Sequence, residues 1–201
     1  MTVSQMGQVT SKIQYFPFDG GDITTHPPRH YDMRIPASIG AGGSITETVI
    51  EDARQARDTG LETSGFELIQ RPTSVSNFLD NEEVMRVYYE ECKALAKELT
   101  GASVAFTYDH LIREPGRQIS GGGTDGQSSV TGTEAGGGYI GTAHMDYTDN
   151  TTWSNYLALH KEQPPESPVR TISLNFWRGL SPLVDDYPLA VCDARSVKEI
   201  D

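Results

Sequence analysis

The sequence predicts a mainly β protein with flanking α structure: an antiparallel sheet, closed or sandwiched, with one long helix packed outside it. Three observations predict this. Strand-like segments follow one another through the second half with no helical pattern between them, and strands joined without crossover helices pair antiparallel. One stretch near the middle sustains helical periodicity. The 20 Gly and 11 Pro among 201 residues supply the turns that such a sheet needs.

In chain order, residues 1–45 hold "KIQYF", a short strand, and then the turn-rich "DGGDITTHPPRHYD" and "IPASIGAGGS". The expectation there is an N-terminal arm or irregular wrapping segment. "ITETVIEDARQARD" carries two signals, Thr and Ile first and a helix-compatible "EDARQARD" after, and stays open between them. "GFELIQRPTSVSNFLD" alternates apolar and polar residues until Pro72, which predicts a strand near 65–70 followed by a loop. In "DNEEVMRVYYEECKALAKELTGA", Val84, Tyr88, Cys92, Leu95 and Leu99 recur on one helical face. Asp80 and Glu83 have the spacing of a capping box, with Asp in place of the usual Ser or Thr, and Gly101 supplies the stop. A helix of about five turns follows from these limits.

"ASVAFTYDHLIRE" then reads as a strand, with Val104 and Phe106 on one face and Ala105 and Thr107 on the other. Residues 116–138, "GRQISGGGTDGQSSVTGTEAGGG", lack apolar periodicity and predict a flexible loop placed to act as a lid. With no GK[ST] ending and no amphipathic helix after it, this run does not read as a phosphate cradle. Three more strands are expected in "YIGTAHMDYT", "VRTISLNFWRGL" and "YPLAVCDARSV", with Pro164, Pro165 and Pro168 punctuating the connection before the second. The length suits one domain over 1–201 better than two.

A net charge of −12, with 16 Lys and Arg that form no basic stripe, argues against nucleic acid and anionic membrane as partners. No apolar run approaches the roughly 20 residues of a bilayer span, and "MTVSQMGQVTSK" lacks a signal-peptide core, so a cytoplasmic protein is expected. Cys92 and Cys192, far apart and outside any CxxC pair, read as buried small hydrophobes. The sequon at Asn150 reads as a chance match without a secretory signal. Hydrolase chemistry has no foothold, because no GxSxG elbow occurs.

The candidate chemistry lies in "GTAHMDYTDN", directly after the glycine-rich run. On a strand, side chains two apart share a face, so His144 and Asp146 converge while Met145 points away. An imidazole and a carboxylate so placed are two members of the two-His-one-carboxylate set that holds non-haem Fe(II) with open positions. The plainer alternative is a solvated strand end.

Four blocks, "YYEECKALAKELTGASVAFTYDHLIRE", "AHMDYT", "LNFWRGL" and "YPLAVCDARSV", occur in the order found in a family this chain resembles. It is the fungal family of Fe(II)- and 2-oxoglutarate-dependent hydroxylases and desaturases, with AsaB-like, gibberellin desaturase-like and CmcJ-like members, many from secondary-metabolite clusters. The resemblance covers residues 65–201 and is most specific in its last two blocks. It implies a double-stranded β-helix (jelly-roll, cupin-like) core, with His144 and Asp146 as two of three iron ligands. It further implies Fe(II), 2-oxoglutarate and O2 as reactants and an aliphatic C–H of a small molecule as the target. Tyr108, Asp109 and His110 match the family's "FDH" strand, and Asn175, Trp177 and Arg178 match its "N-x-W-R" strand. Asn175 and Arg178 are thereby placed near the cosubstrate, and Tyr147, Thr148 and Trp177 near the substrate. Read from the residues alone, Trp177 favours the core, Arg178 could pair with Asp185 or Asp186, His110 favours a structural hydrogen bond, and His160 looks exposed.

The sequence departs from the family's pattern in one respect. The third ligand there is a histidine well downstream of the "CDARSV" block, together with an arginine for the far carboxylate of 2-oxoglutarate, whereas no histidine follows His160 here. Three expectations follow: the closing strands belong to a longer protein, a homo- or heterodimeric partner completes the site, or the chain is a non-catalytic homologue. Exposed sheet edges in an unclosed jelly roll favour the first.

Overall fold

The computed structural model describes residues 7–15, 44–107, 110–112, 143–145, 170–184 and 188–197. They belong to two compact units, one of Met1–Pro72, Tyr139–Ala143 and Val184–Asp201, the other of Thr73–Gly138 and His144–Leu183.

The first unit is built on a hairpin-like pair, β1 (Gln8–Tyr15) and β2 (Ser44–Glu51), antiparallel with Gln8 opposite Glu51 and Tyr15 opposite Ser44. Alternation along the strands puts Val9, Ile13, Tyr15 and Ile50 on one face and Lys12 opposite Glu47 on the other. The Thr and Ile signal of "ITETVI" therefore prevails, and the helix-compatible residues after it form turns instead. Asp52 explains the change: its carboxylate accepts from the Arg54 backbone N–H at 3.0 Å, and its own N–H donates to the Gly7 carbonyl at 2.7 Å. Part of the expected arm is thus an ordered strand. The chain just ahead of His144 also meets it, with Ala143 N–H donating to the Gln14 carbonyl at 2.8 Å.

Behind β2 the unit closes on a turn at 60–66. The Gly60 carbonyl accepts from the backbone N–H groups of Thr63, Ser64 and Gly65. Ser64, with no solvent exposure, accepts from Gly60 N–H at 3.0 Å and hydrogen-bonds the Phe66 carbonyl at 3.0 Å. The strand expected near 65–70 is not formed. Phe66 makes only an isolated bridge to Gly60, and Leu68 is exposed. Alternation signals a pleated surface only if a partner strand exists, and here the buried serine turns the chain back instead.

The 3₁₀ turn Ala194–Ser196 packs on this turn. Ala194 N–H donates to the Ser64 carbonyl at 2.9 Å. Gly65 sits at φ 78°, where a Cβ would be strained and would lie 3.3 Å from the Ala194 Cβ. Asp193 caps the turn by accepting from Arg195 N–H and binds the Arg195 guanidinium, which also reaches the Asp58 carbonyl. These hydrogen bonds hold the Asp193 carboxyl at about 2. Cys192 is exposed, contrary to the expectation of a buried thiol, because the capped turn at 193–195 leaves it on the outside.

The second unit carries the helix, in three parts: α1 (Asn81–Glu83), a π turn (Val84–Tyr88) and α2 (Tyr89–Thr100). Asp80 accepts from Glu83 N–H at 3.1 Å, as a capping residue should. The reciprocal half of the box is redirected, since the Glu83 carboxylate takes the Ser76 and Asn77 backbone N–H groups and the Ser76 hydroxyl. The Ser76 and Asn77 bonds hold its pKa low. Gly101 ends the helix at φ 71°. Of the predicted face, Val84 and Cys92 are buried and Tyr88, Leu95 and Leu99 half-buried.

Three other expected strands show no strand pairing among the described residues: 102–107, 170–180 and 188–197. Their alternating apolar residues, including Val104, Phe106, Ile172, Leu189 and Val191, are exposed. Tyr108, Asp109 and the 116–138 loop lie outside the described residues, as does most of "YIGTAHMDYT".

Candidate functional site

The predicted site residues divide sharply. Asp146, Tyr147, Thr148 and His160 lie outside the described residues, as do Asp185 and Asp186. His144, Asn175, Trp177 and Arg178 are described and belong to the second unit. His144 and Met145 are both exposed, Met145 at 83 %, directly after the backbone bond that ties Ala143 to β1. Asn175 is exposed, and Trp177, 52 % exposed, is no core residue. Each of His144, Asn175 and Arg178 has an interaction partner. Among the described residues no group of three or more His, Cys, Asp or Glu side chains gathers to hold a metal ion.

Arg178 is the best defined of the set. Its Nε donates to the Tyr88 hydroxyl at 3.2 Å, and its guanidinium lies 5.5 Å from the centre of the Tyr88 ring. Phe78 meets that ring edge-on at 5.1 Å. Burial raises the Tyr88 phenol against the opposing pull of Arg178, and burial lifts the neighbouring Cys92 thiol to about 11. Cys92 is therefore a neutral packing group at neutral pH. Glu91, one residue before it, is bound by the Thr73 hydroxyl and by Ser74 N–H at 2.7 Å; these bonds outweigh burial and lower its pKa.

Tyr89, adjacent to Tyr88, serves a different block. Its hydroxyl lies 2.9 Å from His110 Nδ1, with the two rings edge to face at 5.5 Å. The hydrogen-bonding role expected of His110 is thus met at Nδ1. Neither tyrosine was marked by sequence reasoning as a positioning group, and helical periodicity assigned Tyr88 only to the packed face. The π turn, in which Tyr89 N–H bonds the Val84 carbonyl five residues back, sets where both project. The signal available in the sequence is the Tyr88-Tyr89 doublet itself, two phenols that each need a partner when half-buried.

Comparison with known proteins gives the family. Residues 26–201 match the family model described as Oxidoreductase/YMDC permease-like domain (YDMC), and the chain belongs to that family. It is similar to the hydroxylase/desaturase efuI of Hormonema carpetanum, 31 % identical over 159 residues, covering 76 % of this chain and 52 % of the relative. A protein of Methylophilus leisingeri described as an uncharacterized protein in the dcmA 3' region is 35 % identical over 129 residues, covering 60 % and 54 %. The alpha-ketoglutarate-dependent dioxygenase phiK of a fungal species is 27 % identical over 111 residues, covering 55 % and 38 %. The chain spans about half the length of the first two. No solved structure matches it. Among the described residues no helix is long and apolar enough to cross a membrane.

Proposed function

We propose that this chain carries part of an Fe(II)- and 2-oxoglutarate-dependent oxygenase acting on an aliphatic C–H of a small molecule in secondary-metabolite biosynthesis, on a jelly-roll core. The observation that carries the reading is the His144-x-Asp146 pair in a chain of an oxidoreductase family, one of whose relatives is named an alpha-ketoglutarate-dependent dioxygenase. The donor set fits the metal, because a neutral imidazole with a carboxylate suits a divalent iron ion and leaves positions for other ligands.

His144 and Asp146 would hold the ion, which supplies redox chemistry toward O2 and 2-oxoglutarate when bound. Asn175 and Arg178 bind and orient the cosubstrate in this reading. Arg178 reaches its place already fixed at Nε by Tyr88, which restricts the directions its remaining donors can take. Tyr147, Thr148 and Trp177 line the substrate side, where the exposed indole offers a broad apolar surface to a C–H-rich molecule. The outcome is hydroxylation, desaturation or oxidative ring formation, depending on how that surface places the C–H bond.

The test is a titration with Mn(II) as a redox-silent surrogate for Fe(II), followed by magnetic resonance, together with a succinate-release assay with Fe(II) and 2-oxoglutarate. Binding lost in His144→Ala and in Asp146→Ala is the expected result. Absence of Mn(II) binding by the wild-type chain, with 2-oxoglutarate present, would refute the reading. It would favour a second one, a non-catalytic homologue or subunit that completes a catalytic partner.

A further inference from the structure

Two tyrosines in succession, at the junction of a π turn and a regular helix, hold residues far away in sequence. Only the partner of the second leaves a polar atom unaccounted for. His110 is bonded at Nδ1 by the Tyr89 hydroxyl at 2.9 Å and aligned by the edge-to-face packing of the rings. The segment is pinned again by Thr107, whose hydroxyl donates to the Tyr89 carbonyl at 3.4 Å. The other ring nitrogen, Nε2, is closed off from solvent and has no hydrogen-bond partner among the described residues.

A phenol is a good donor and a poor acceptor, and the imidazole nitrogen is a strong acceptor, so the bond runs from the Tyr89 O–H to Nδ1. The proton of the neutral ring then sits on Nε2, as a donor. Burial holds His110 below the ordinary histidine range, which keeps this neutral form at neutral pH. A buried N–H left unpaired is destabilising, whereas an apolar side chain of the same shape at position 110 would cost nothing of the kind. Underwound turns of helix recur at functional sites, and this one directly precedes the tyrosine that fixes the ring.

We propose that His110 is a binding residue, and Tyr89 its positioning residue, with Nε2–H donating to a carboxylate or carbonyl oxygen of a bound small molecule. The ligand is defined by its oxygen acceptor. It can be the 2-oxo acid of the function proposed above or the carboxylate of the molecule being oxidised, and the inference stands apart from the metal.

The experiment labels the histidines of the full chain with ¹⁵N and follows the ring nitrogens by long-range proton–nitrogen spectra, with His110→Gln identifying the signal. The wild-type ring should show the Nε2–H form. Its Nε2 signal should move with 2-oxoglutarate if the cosubstrate is the ligand, or with hexanoate alone if the substrate carboxylate is. Affinity for the responding probe should fall about tenfold in His110→Leu, recover in His110→Gln, and fall about threefold in Tyr89→Phe, as loss of one neutral hydrogen bond predicts. An Nδ1–H ring, or signals unmoved by either probe, would overturn the proposal, with no variant needing to fold. Movement with hexanoate and no succinate release would remove the oxygenase reading and keep this one. Succinate release with His110 unmoved would do the opposite.

Discussion

Replacing Ser64 by Ala isolates the contribution of one hydroxyl to the first unit. The side chain has no solvent exposure, so water cannot substitute for it. Its Oγ accepts from Gly60 N–H at 3.0 Å and lies 3.0 Å from the Phe66 carbonyl and 3.2 Å from the Gly60 carbonyl, one of which takes its proton. Alanine removes both bonds and strands the Gly60 donor, whereas the Gly60 carbonyl keeps its backbone partners at Thr63, Ser64 and Gly65. Two hydrogen bonds near 1 kcal/mol each, one leaving an unsatisfied donor, give a cost of about 2–3 kcal/mol. For a chain of this size that is a fall in melting temperature of about 4–12 °C. Hydrogen exchange gives the sharper assay. The Ala194 amide, which donates to the Ser64 carbonyl, should lose protection in step with the 60–66 turn, and the amides of α2 in the other unit should not change. A loss below about 0.5 kcal/mol would mean that Gly60 N–H is satisfied some other way, and the account of the turn would fail.

Val84→Ala removes a β-branched side chain that is 1 % exposed, and a cost of about 2 kcal/mol in urea unfolding is expected, net of alanine's better helix propensity. Gly101→Ala meets no atom within 4 Å, so its cost of about 1 kcal/mol is purely that of a Cβ at φ 71°. It should appear as faster amide exchange in the last turn of α2, with Gly101→Asn milder. Acid acts on two groups at different pH. His110 is held neutral below an ordinary value of 6.5, so its contribution is complete above that pH and is lost as pH falls through its folded value. Asp193, held at about 2 against 3.8, contributes fully above 3.8 and loses its contribution as pH falls to about 2. Near-neutral acidification should therefore perturb the Tyr89 environment first and leave the 193–195 turn intact; the reverse order, followed by residue-resolved NMR, would contradict both assignments.

The helix was legible because everything that specifies it is local. Asp80, Gly101 and the face from Val84 to Leu99 act within a few residues of where they stand. Strand pairing is not local. "ITETVI" and "KIQYF" each suggest a strand, but no pattern in either says that Ser44 faces Tyr15. In 102–107, 170–180 and 188–197 alternation alone predicted ladders that the described residues do not form. The proposed metal pair is likewise a local reading, since His144 and Asp146 are two residues apart. The partnerships of Arg178 with Tyr88 and His110 with Tyr89 span 90 and 21 residues, and the π turn that aims both tyrosines leaves no trace in a periodicity already satisfied by Val84, Tyr88 and Cys92.

That π turn also makes the helix adjustable in a way an unbroken one is not. Removing a single residue between Val84 and Tyr88 would restore ordinary helical bonding and rotate everything on one side of the deletion by about 100° relative to the other. The caps at Asp80 and Gly101 and the full length of regular helix would survive. One residue of slack, set just ahead of the paired tyrosines that hold the histidine and the arginine, therefore works as an angular setting: a shortened homologue could keep the same helix with the parts before and after the deletion turned relative to each other.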